Sequence, residues 1–161
     1  MENIIKVGMA DWKVAAHPDA LTTLGLGSCV GICLYDGKRK IIGMAHIMLP
    51  SSDLVRANAN RAKFADTGIP DMVDAMLRMG SDVRGMTAKI AGGAQMFAYS
   101  SGSDIIRIGA RNAEATREIL AGYRIPILAD DTGGTFGRTI EFYACDGRLM
   151  VKTIGHGVKT L

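Results

Sequence analysis

Two neighbouring apolar runs joined by a turn sequence constrain the fold of this chain more than any other feature. Residues 27–35, Gly-Ser-Cys-Val-Gly-Ile-Cys-Leu-Tyr, are apolar on both faces, as in a buried strand, and residues 40–49 form a second apolar run. The intervening Asp36-Gly37-Lys38-Arg39 is a typical turn sequence. The pattern therefore predicts a β-hairpin in the protein core.

The rest of the chain carries more strand signals than helix signals. Short extended segments are expected over residues 4–23, broken at His17-Pro18, and a second hairpin is expected around the turn at residues 145–148. The other predicted elements are strands over residues 86–91 and 125–129, a helix from Pro70 to Gly80, and a helix capped by Asn112 and ending at Ala121. The pattern predicts an α+β fold, in which a mixed and largely antiparallel sheet packs against helices.

Length and composition are those of a single-domain globular protein. The chain has 161 residues, 48% of them apolar, and no linker or composition shift, which predicts one domain over residues 1–161. The net charge is only +3 and the Lys and Arg are scattered, which argues against nucleic-acid binding. Every apolar stretch is far shorter than the roughly 18 residues of a membrane span, so we expect no membrane insertion. The lack of a secretion signal and the odd number of cysteines, three, lead us to expect a cytoplasmic protein.

The predicted hairpin places Cys29 and His46 on one face of the sheet. If the loop is Gly37-Lys38, or residues 36–39, paired residue numbers sum to 75 and Cys29 lies directly opposite His46. A loop at residues 36–37 makes the two residues diagonal neighbours, and only an odd-sized loop separates them. Their Cβ atoms are then expected to lie roughly 4.5–5.5 Å apart if opposite, or about 7–8 Å apart if diagonal.

A thiol beside an imidazole is the pattern of a nucleophilic cysteine. A free thiol has a pKa of about 8.5, and a neighbouring imidazolium stabilises the thiolate and can later protonate a leaving amine. The glycine-rich segment before the thiol could present the backbone N–H groups of Gly27, Ser28 and Cys29 to an oxyanion. The alternative interpretation is that Cys29 and His46 only pack in the core, as most buried cysteines do.

The other candidate sites have weaker support. Cys33 is flanked by apolar residues and is expected to pack in the core, and Cys145 lies in a turn without a neighbouring base. A zinc site using Cys29 and Cys33 conflicts with a strand, because residues four apart are separated by about 13 Å. The glycine spacing G-x-G-x-x-x-G over residues 25–31 is one residue too long for a dinucleotide-binding loop. We therefore predict neither a metal site nor a cofactor.

Five sequence blocks, in a conserved order, resemble the chemoreceptor glutamine deamidases of bacterial chemotaxis, the CheD family. The blocks are Thr23-Leu24-Gly25-Leu26-Gly27-Ser28-Cys29-Val30-Gly31, Gly43-Met44-Ala45-His46-Ile47-Met48-Leu49-Pro50, Gly92-Gly93-Ala94-Gln95-Met96-Phe97, Ile108-Gly109-Ala110-Arg111-Asn112 and Asp131-Thr132-Gly133-Gly134-Thr135-Phe136-Gly137-Arg138. Together they span most of the chain. The combination T-x-G-x-G-S-C with H-x-M-L-P is specific to this family.

The resemblance implies an α/β sandwich and a protein-glutamine glutaminase activity. Such an enzyme converts particular glutamines in the cytoplasmic helical region of methyl-accepting chemotaxis receptors to glutamates. It implies a Cys–His–Thr triad, with Cys29 as nucleophile, His46 as base and Thr23 as the residue that orients the imidazole, although Thr22 offers a second hydroxyl. It also implies a possible partner, a CheC-type phosphatase. The alternative function is a catalytically weak adaptor that binds and regulates such a phosphatase or receptor.

Overall fold

Ten β-strands, two α-helices and three short 3-10 helices make up the regular structure of residues 2–54, 60–96 and 107–161, the part of the chain that this computed structural model describes. In chain order the elements are β1 (Ile4–Lys6), β2 (Asp11–Ala16), β3 (Ala20–Leu26), β4 (Val30–Asp36), β5 (Ile41–Ile47), α1 (Ala65–Arg78), β6 (Met86–Gly92), α2 (Ile108–Gly122), β7 (Ile127–Thr132), β8 (Arg138–Tyr143), β9 (Leu149–Thr153) and β10 (Gly157–Thr160).

The strands form two mixed sheets of five strands each. We call the sheet with strand order β1-β3-β8-β9-β10 the outer sheet, and the sheet with order β2-β5-β4-β6-β7 the central sheet. Each contains one parallel pair, β1 with β3 and β6 with β7, and its other pairs are antiparallel. The α+β class predicted from the sequence is confirmed, with the strands divided between two sheets instead of one.

Two hydrophobic cores among the described residues set the order of the layers as helices, central sheet and outer sheet. Ile32 and Leu34 of β4 pack with Ile69 of α1 in the first core. Cys33 of the same strand packs with Phe142 of β8 in the second core, between the sheets. Because alternate side chains of a strand point to opposite faces, β4 and β5 contribute to both cores, and this explains their uninterrupted apolar sequence.

The first predicted hairpin is present, but its register differs from both that we considered, by two residues from the one in which paired residue numbers sum to 75. β4 and β5 pair antiparallel from Val30 with Ile47 to Asp36 with Ile41, so paired residue numbers sum to 77 and the loop is residues 37–40. Lys40, which we had placed in the second strand, takes a left-handed φ of 57° in that loop. The loop still has an even number of residues, so each side chain keeps its predicted face.

Helix α1 begins earlier than predicted. It starts at Ala65, and Pro70, which we had placed at its first position, lies in its second turn. A proline there removes one backbone hydrogen bond, because it lies beyond the first turn, whose N–H groups have no intrahelical acceptors anyway. Met72 and Met76 are fully buried on the inner face of this helix. The helix is therefore stabilised by its packing on the central sheet despite the proline.

Helix α2 also begins earlier, at Ile108, so Asn112 is not its N-cap. Asn112 lies within the helix and is fully buried. Its side chain forms hydrogen bonds with the backbone of two other segments of the chain, not with its own helix. Tertiary contacts therefore override the local capping preference of this residue.

The remaining strands agree with prediction to within a few residues, except for one that the sequence pattern did not reveal. β8 and β9 flank the second predicted turn, and β6 ends at Gly92 as expected. β10, over Gly157–Thr160, pairs antiparallel with β9, and all four of its residues are exposed. An exposed edge strand lacks the apolar alternation by which strands are recognised in a sequence. Neither described α-helix is both long and apolar enough to cross a membrane.

Candidate active site

A buried hydrogen bond joins the two sheets at Thr23 and His46. Thr23 lies in β3 of the outer sheet and His46 in β5 of the central sheet, and both side chains are almost completely shielded from solvent. The Oγ1 atom of Thr23 is 2.7 Å from Nδ1 of His46 and 2.8 Å from the carbonyl oxygen of Val7. Thr22 faces elsewhere, because its hydroxyl donates to the carbonyl oxygen of Ile140 at 2.8 Å.

These two bonds determine the tautomer of the neutral imidazole. A threonine hydroxyl has one hydrogen, and the carbonyl oxygen of Val7 is only an acceptor, so Thr23 donates to Val7. Thr23 must then accept from His46, which places the ring proton on Nδ1. The basic lone pair of the ring is therefore on Nε2, so this nitrogen is the one that can accept a proton if the ring acts as a general base.

Cys29 lies one residue before β4 and faces the space between the sheets, as His46 does. Gly31 is directly opposite His46 in the β4–β5 ladder, so Cys29 is its diagonal neighbour, in an arrangement that separates Cβ atoms by about 7–8 Å. Nε2 of His46 is buried and makes no hydrogen bond to any described residue. The predicted shared face is present, and of the two placements that the sequence left open, directly opposite and diagonal, the structure shows the diagonal one. A thiol–imidazole contact would require a side-chain movement that brings the sulfur to Nε2, and such distances are common for catalytic groups without substrate.

Burial controls the protonation of both groups. Desolvation raises the pKa of the Cys29 thiol, and a hydrogen bond from its own backbone N–H partly opposes that rise. Desolvation lowers the pKa of His46. Both shifts favour the uncharged forms, a thiol and a neutral imidazole. The sequence pattern had suggested a thiolate stabilised by imidazolium, and the burial of both groups disfavours that charged pair.

Two of the three backbone N–H groups predicted to bind an oxyanion are available. The N–H of Gly27 donates to the carbonyl oxygen of Gly25 at 3.0 Å, in a turn where Gly25 has a φ of 70°. This bond removes Gly27 from the predicted set. Within the described residues, the N–H groups of Ser28 and Cys29 form no backbone hydrogen bond. The N–H of Cys29 lies close enough to its own sulfur to lower the thiol pKa, so it is near the atom that would attack a carbonyl.

The loop that carries Cys29 is fixed by main-chain bonds to the end of β6. Gly93 N–H donates to the carbonyl oxygen of Cys29 at 2.8 Å, and Ala94 N–H donates to that of Gly27 at 2.9 Å. Gly92 has a φ of 107°, and a Cβ atom at this position would collide with the carbonyl oxygen of Cys29. A glycine at position 92 is therefore required for the two backbones to approach so closely.

The other two cysteines lack the features of a nucleophile. Cys33 is completely buried, and desolvation raises the pKa of its thiol far above the ordinary range. Cys145 lies in the turn between β8 and β9, where its sulfur is 3.7 Å from a guanidinium nitrogen of Arg148. All three cysteines are free thiols. The described residues include no group of three or more His, Cys, Asp and Glu arranged to hold a metal ion.

Sequence reasoning missed two groups near this site. The carbonyl of Val7 belongs to the backbone, so no side chain signals its role. Asn112 Nδ2 donates to the carbonyl oxygens of Ser28, at 3.0 Å, and Met48, at 2.9 Å. Asn112 shares the buried face of α2 with Ala113 and Leu120, and a polar residue at that spacing is a signal that could have been recognised.

Comparisons with known proteins agree on one family. The family model described as CheD chemotactic sensory transduction matches residues 48–153. The "Probable chemoreceptor glutamine deamidase CheD" of Caldanaerobacter subterraneus subsp. tengcongensis is 58% identical over 97% of this chain and 96% of its own length. Proteins named "Chemoreceptor glutamine deamidase CheD" are 48% identical in Halalkalibacterium halodurans, over the full length of both chains, and 45% identical in Bacillus subtilis, over 98% of this chain and 96% of that protein.

A solved structure shares the fold. The crystal structure of the Bacillus licheniformis hypothetical protein YfiH aligns with a TM-score of 0.50 and 20% sequence identity. The alignment covers 76% of this chain and 50% of that one, so this chain spans about half the length of its structural neighbour. At this level of identity the similarity concerns only the fold.

Proposed function

This chain belongs to the CheD family, and on that premise we propose that it is a protein-glutamine deamidase that acts on chemotaxis receptors by Cys–His nucleophilic catalysis. The observation that carries the proposal is the buried imidazole of His46, whose Nδ1 is bonded to Thr23 while Nε2 is left without a partner. An imidazole held in this way is ready to accept a proton from a neighbouring thiol. Cys29 supplies that thiol from the same side of the central sheet.

In the first half of the reaction, Nε2 of His46 takes the proton of the Cys29 thiol as the sulfur attacks the carboxamide carbon of glutamine. A carbon–sulfur bond forms, and the carbonyl oxygen becomes an oxyanion that accepts hydrogen bonds from the N–H groups of Ser28 and Cys29. The protonated imidazole then gives its proton to the amide nitrogen. The carbon–nitrogen bond breaks, ammonia leaves, and a thioester with Cys29 remains.

In the second half, water replaces ammonia. His46 accepts a proton from water as its oxygen attacks the thioester carbon, and the same N–H groups bind the second oxyanion. The carbon–sulfur bond breaks, the thiol recovers its proton from His46, and glutamate is released. Thr23 exchanges no proton in either half, since it only accepts from Nδ1 and keeps the ring in one orientation.

The whole chain, residues 1–161, is proposed as one deamidase domain that acts in the cytoplasm. Strand β1 pairs with β3, and strand β10 pairs with β9, so both ends of the described chain are held in the outer sheet. The free thiols fit a reducing compartment. A CheC-type phosphatase is a proposed partner on the basis of the sequence resemblance, and a pull-down with the purified phosphatase tests it.

The decisive experiment measures ammonia release from a purified cytoplasmic fragment of a chemotaxis receptor, together with the gain of one dalton per converted glutamine. We expect the wild-type chain to be active and Cys29→Ala to be inactive, because the thioester cannot form. Cys33→Ala is the matched control, since Cys33 is a buried cysteine of the same strand region without a base. Equal rates of ammonia release for wild type and Cys29→Ala would exclude the proposed chemistry. No ammonia release by the wild-type chain would favour the adaptor.

A further inference from the structure

A single side-chain amide ties together the two segments that carry Cys29 and His46. Both bonds of Asn112 Nδ2, to Ser28 and to Met48, end on main-chain carbonyl oxygens. Ser28 directly precedes Cys29, and Met48 follows His46 by two residues. Helix α2 therefore contacts both segments, the one that carries Cys29 and the one that carries His46, through this residue. It contributes no other group to the chemistry described above.

The hydrogen bond from Asn112 to the carbonyl oxygen of Ser28 also constrains the orientation of the neighbouring N–H group, that of Cys29. The carbonyl of Ser28 and the N–H of Cys29 belong to one planar peptide unit, in which the two groups point in opposite directions when the unit is trans. The only cis peptide bond of the described residues lies at His17-Pro18, so this unit is trans. With its carbonyl held by Asn112, the peptide must direct the N–H of Cys29 away from α2.

We infer that Asn112 is a positioning residue for the proposed deamidation: it orients the Ser28–Cys29 peptide so that the Cys29 N–H faces the developing oxyanion, and it anchors the end of the strand that carries His46. The inference rests on the proposed function for its chemistry, but the geometry that it invokes can be tested separately. The lowering of the thiol pKa by the Cys29 N–H supports the same orientation.

The buried Oδ1 atom of Asn112, which has no hydrogen-bond partner among the described residues, indicates that packing alone does not explain an asparagine at this position. Only the NH2 group of an amide can serve two carbonyl acceptors, so Oδ1 must point away from both, and it is buried without a hydrogen-bond partner among the described residues. An apolar side chain would avoid that desolvation penalty, but it would remove the donor shared by the carbonyl oxygens of Ser28 and Met48. The position therefore retains a costly group whose two bonds both end at the candidate site.

The test compares Asn112→Asp and Asn112→Ser with Thr116→Val. Aspartate is nearly isosteric with asparagine, but its carboxyl group offers at most one donor, and serine also offers one. Thr116 is equally buried one turn along the same helix, and its hydroxyl donates to the carbonyl oxygen of Asn112 within that helix. Thr116→Val thus removes a buried polar group of α2 without touching either segment of the site.

We expect both Asn112 variants to lower kcat for glutamine deamidation by on the order of 100-fold with little change in KM, because a misdirected oxyanion donor affects the transition state more than substrate binding. Thr116→Val is expected to keep kcat within about twofold of wild type. Two readouts do not require turnover. In the Asn112 variants, hydrogen exchange should accelerate at residues 27–29 and 47–49, and the pH midpoint of Cys29 alkylation should rise.

An Asn112 variant that stays folded with wild-type kcat, exchange and alkylation would overturn the inference, as would equal effects from Thr116→Val. Loss of the fold in both Asn112 variants, with Thr116→Val intact, would also overturn it, since the residue would then be needed for folding. If wild type releases no ammonia from the receptor fragment, the proposed function fails. The exchange and alkylation comparisons would still decide whether Asn112 orients the Cys29 peptide.

Discussion

Thr23 and His46 are 23 residues apart in the sequence and lie in different sheets, yet Oγ1 of one is 2.7 Å from Nδ1 of the other. The Val7 carbonyl fixes the direction of this bond, because it accepts the only hydrogen that the hydroxyl can donate. The role of Thr23 in the proposed mechanism is thus to hold one tautomer of a buried imidazole, with the basic lone pair on Nε2.

We expect Thr23→Val to retain measurable turnover while His46→Ala loses roughly 10²–10⁴-fold in kcat, the range for a positioned acid–base group. The valine variant keeps the shape of Thr23 but leaves two buried polar groups unpaired, the carbonyl of Val7 and Nδ1 of His46. Each unpaired group should reduce the free energy of unfolding by about 1–3 kcal/mol. Ammonia release and urea denaturation are the measurements.

Thr23→Ser is the matched control for that pair, because serine keeps the hydroxyl. We expect it to restore most of the activity and stability lost in Thr23→Val. A serine variant as impaired as the valine variant would show that the methyl group of Thr23, and not its hydrogen bond, is what the site requires.

The pH dependence of kcat/KM should show an acid limb below pH 6.5, the ordinary pKa of histidine. Burial lowers the pKa of His46, and in the proposed mechanism the active form of the enzyme carries the neutral ring. As the pH falls through this lowered pKa, the ring takes up a proton and can no longer accept one from the thiol, so activity is lost. A rate profile from pH 4.5 to 9 measures the limb, and a midpoint at or above pH 6.5 would contradict the assignment.

The free energy of unfolding should also depend on pH through the titration of His46. The unfolded chain binds a proton at His46 at a higher pH than the folded chain does, so the free energy of unfolding should fall as the pH drops below about 6.5. Denaturant titrations of wild type and His46→Gln at pH 7.5 and 5.5 measure this contribution. The glutamine variant should lose less stability over this interval, because it has no proton to bind at position 46.

Brief treatment with iodoacetamide should label Cys29 in preference to Cys33. Cys29 is 8% exposed whereas Cys33 is inaccessible, and burial raises the thiol pKa of Cys33 far more. The experiment is best done in a Cys145→Ser background, because Cys145 is partly exposed. Peptide mapping identifies the labelled thiol, and labelling of Cys33 first would mean that the accessible nucleophile has been misassigned.

The pH dependence of this labelling distinguishes a thiol–imidazole pair from a preformed ion pair. For the neutral pair described above, the alkylation rate of Cys29 should rise only above the ordinary pKa of a thiol, about 8.5. A preformed thiolate would instead react at full rate near pH 6. The second result would show that burial does not determine the protonation of the resting enzyme.

Gly92→Ala should abolish both deamidation and rapid labelling of Cys29. The new Cβ atom would collide with the Cys29 carbonyl oxygen, so the loop that carries Cys29 has to move. Gly80→Ala is the control, because Gly80 has a nearly identical φ of 104° but no atom near its Cβ position. Both variants should lose about 1–2 kcal/mol of stability from the left-handed backbone. Only Gly92→Ala should lose activity, and equal activity in the two variants would contradict this account of the loop.

Much of the candidate site could be anticipated from the sequence because of the two-residue period of a strand. Any even-sized loop between β4 and β5 places Cys29 and His46 on the same face. The predicted shared face is therefore correct although the predicted register is not. The order of the elements and the α+β class also followed from local patterns, which depend only on residues close together in the chain. The position of α1 and α2 was less accurate, since packing on the central sheet extended both helices beyond their local signals.

What the sequence determined by itself was therefore the central hairpin, the shared face of Cys29 and His46, and the motif that carries the family resemblance. Only the tertiary structure decided that Thr23, and not Thr22, contacts the imidazole, and that the carbonyl of Val7 sets the direction of their hydrogen bond. It alone also decided that Asn112 binds the segments that carry Cys29 and His46. It also decided how far Cys29 and His46 are buried, and this burial raises the pKa of the thiol and lowers the pKa of the imidazole. The physical reason is that these properties arise where the two sheets and α2 pack together. Local periodicity sets which way a side chain points, but it does not set which distant segment lies opposite or how much water is excluded there.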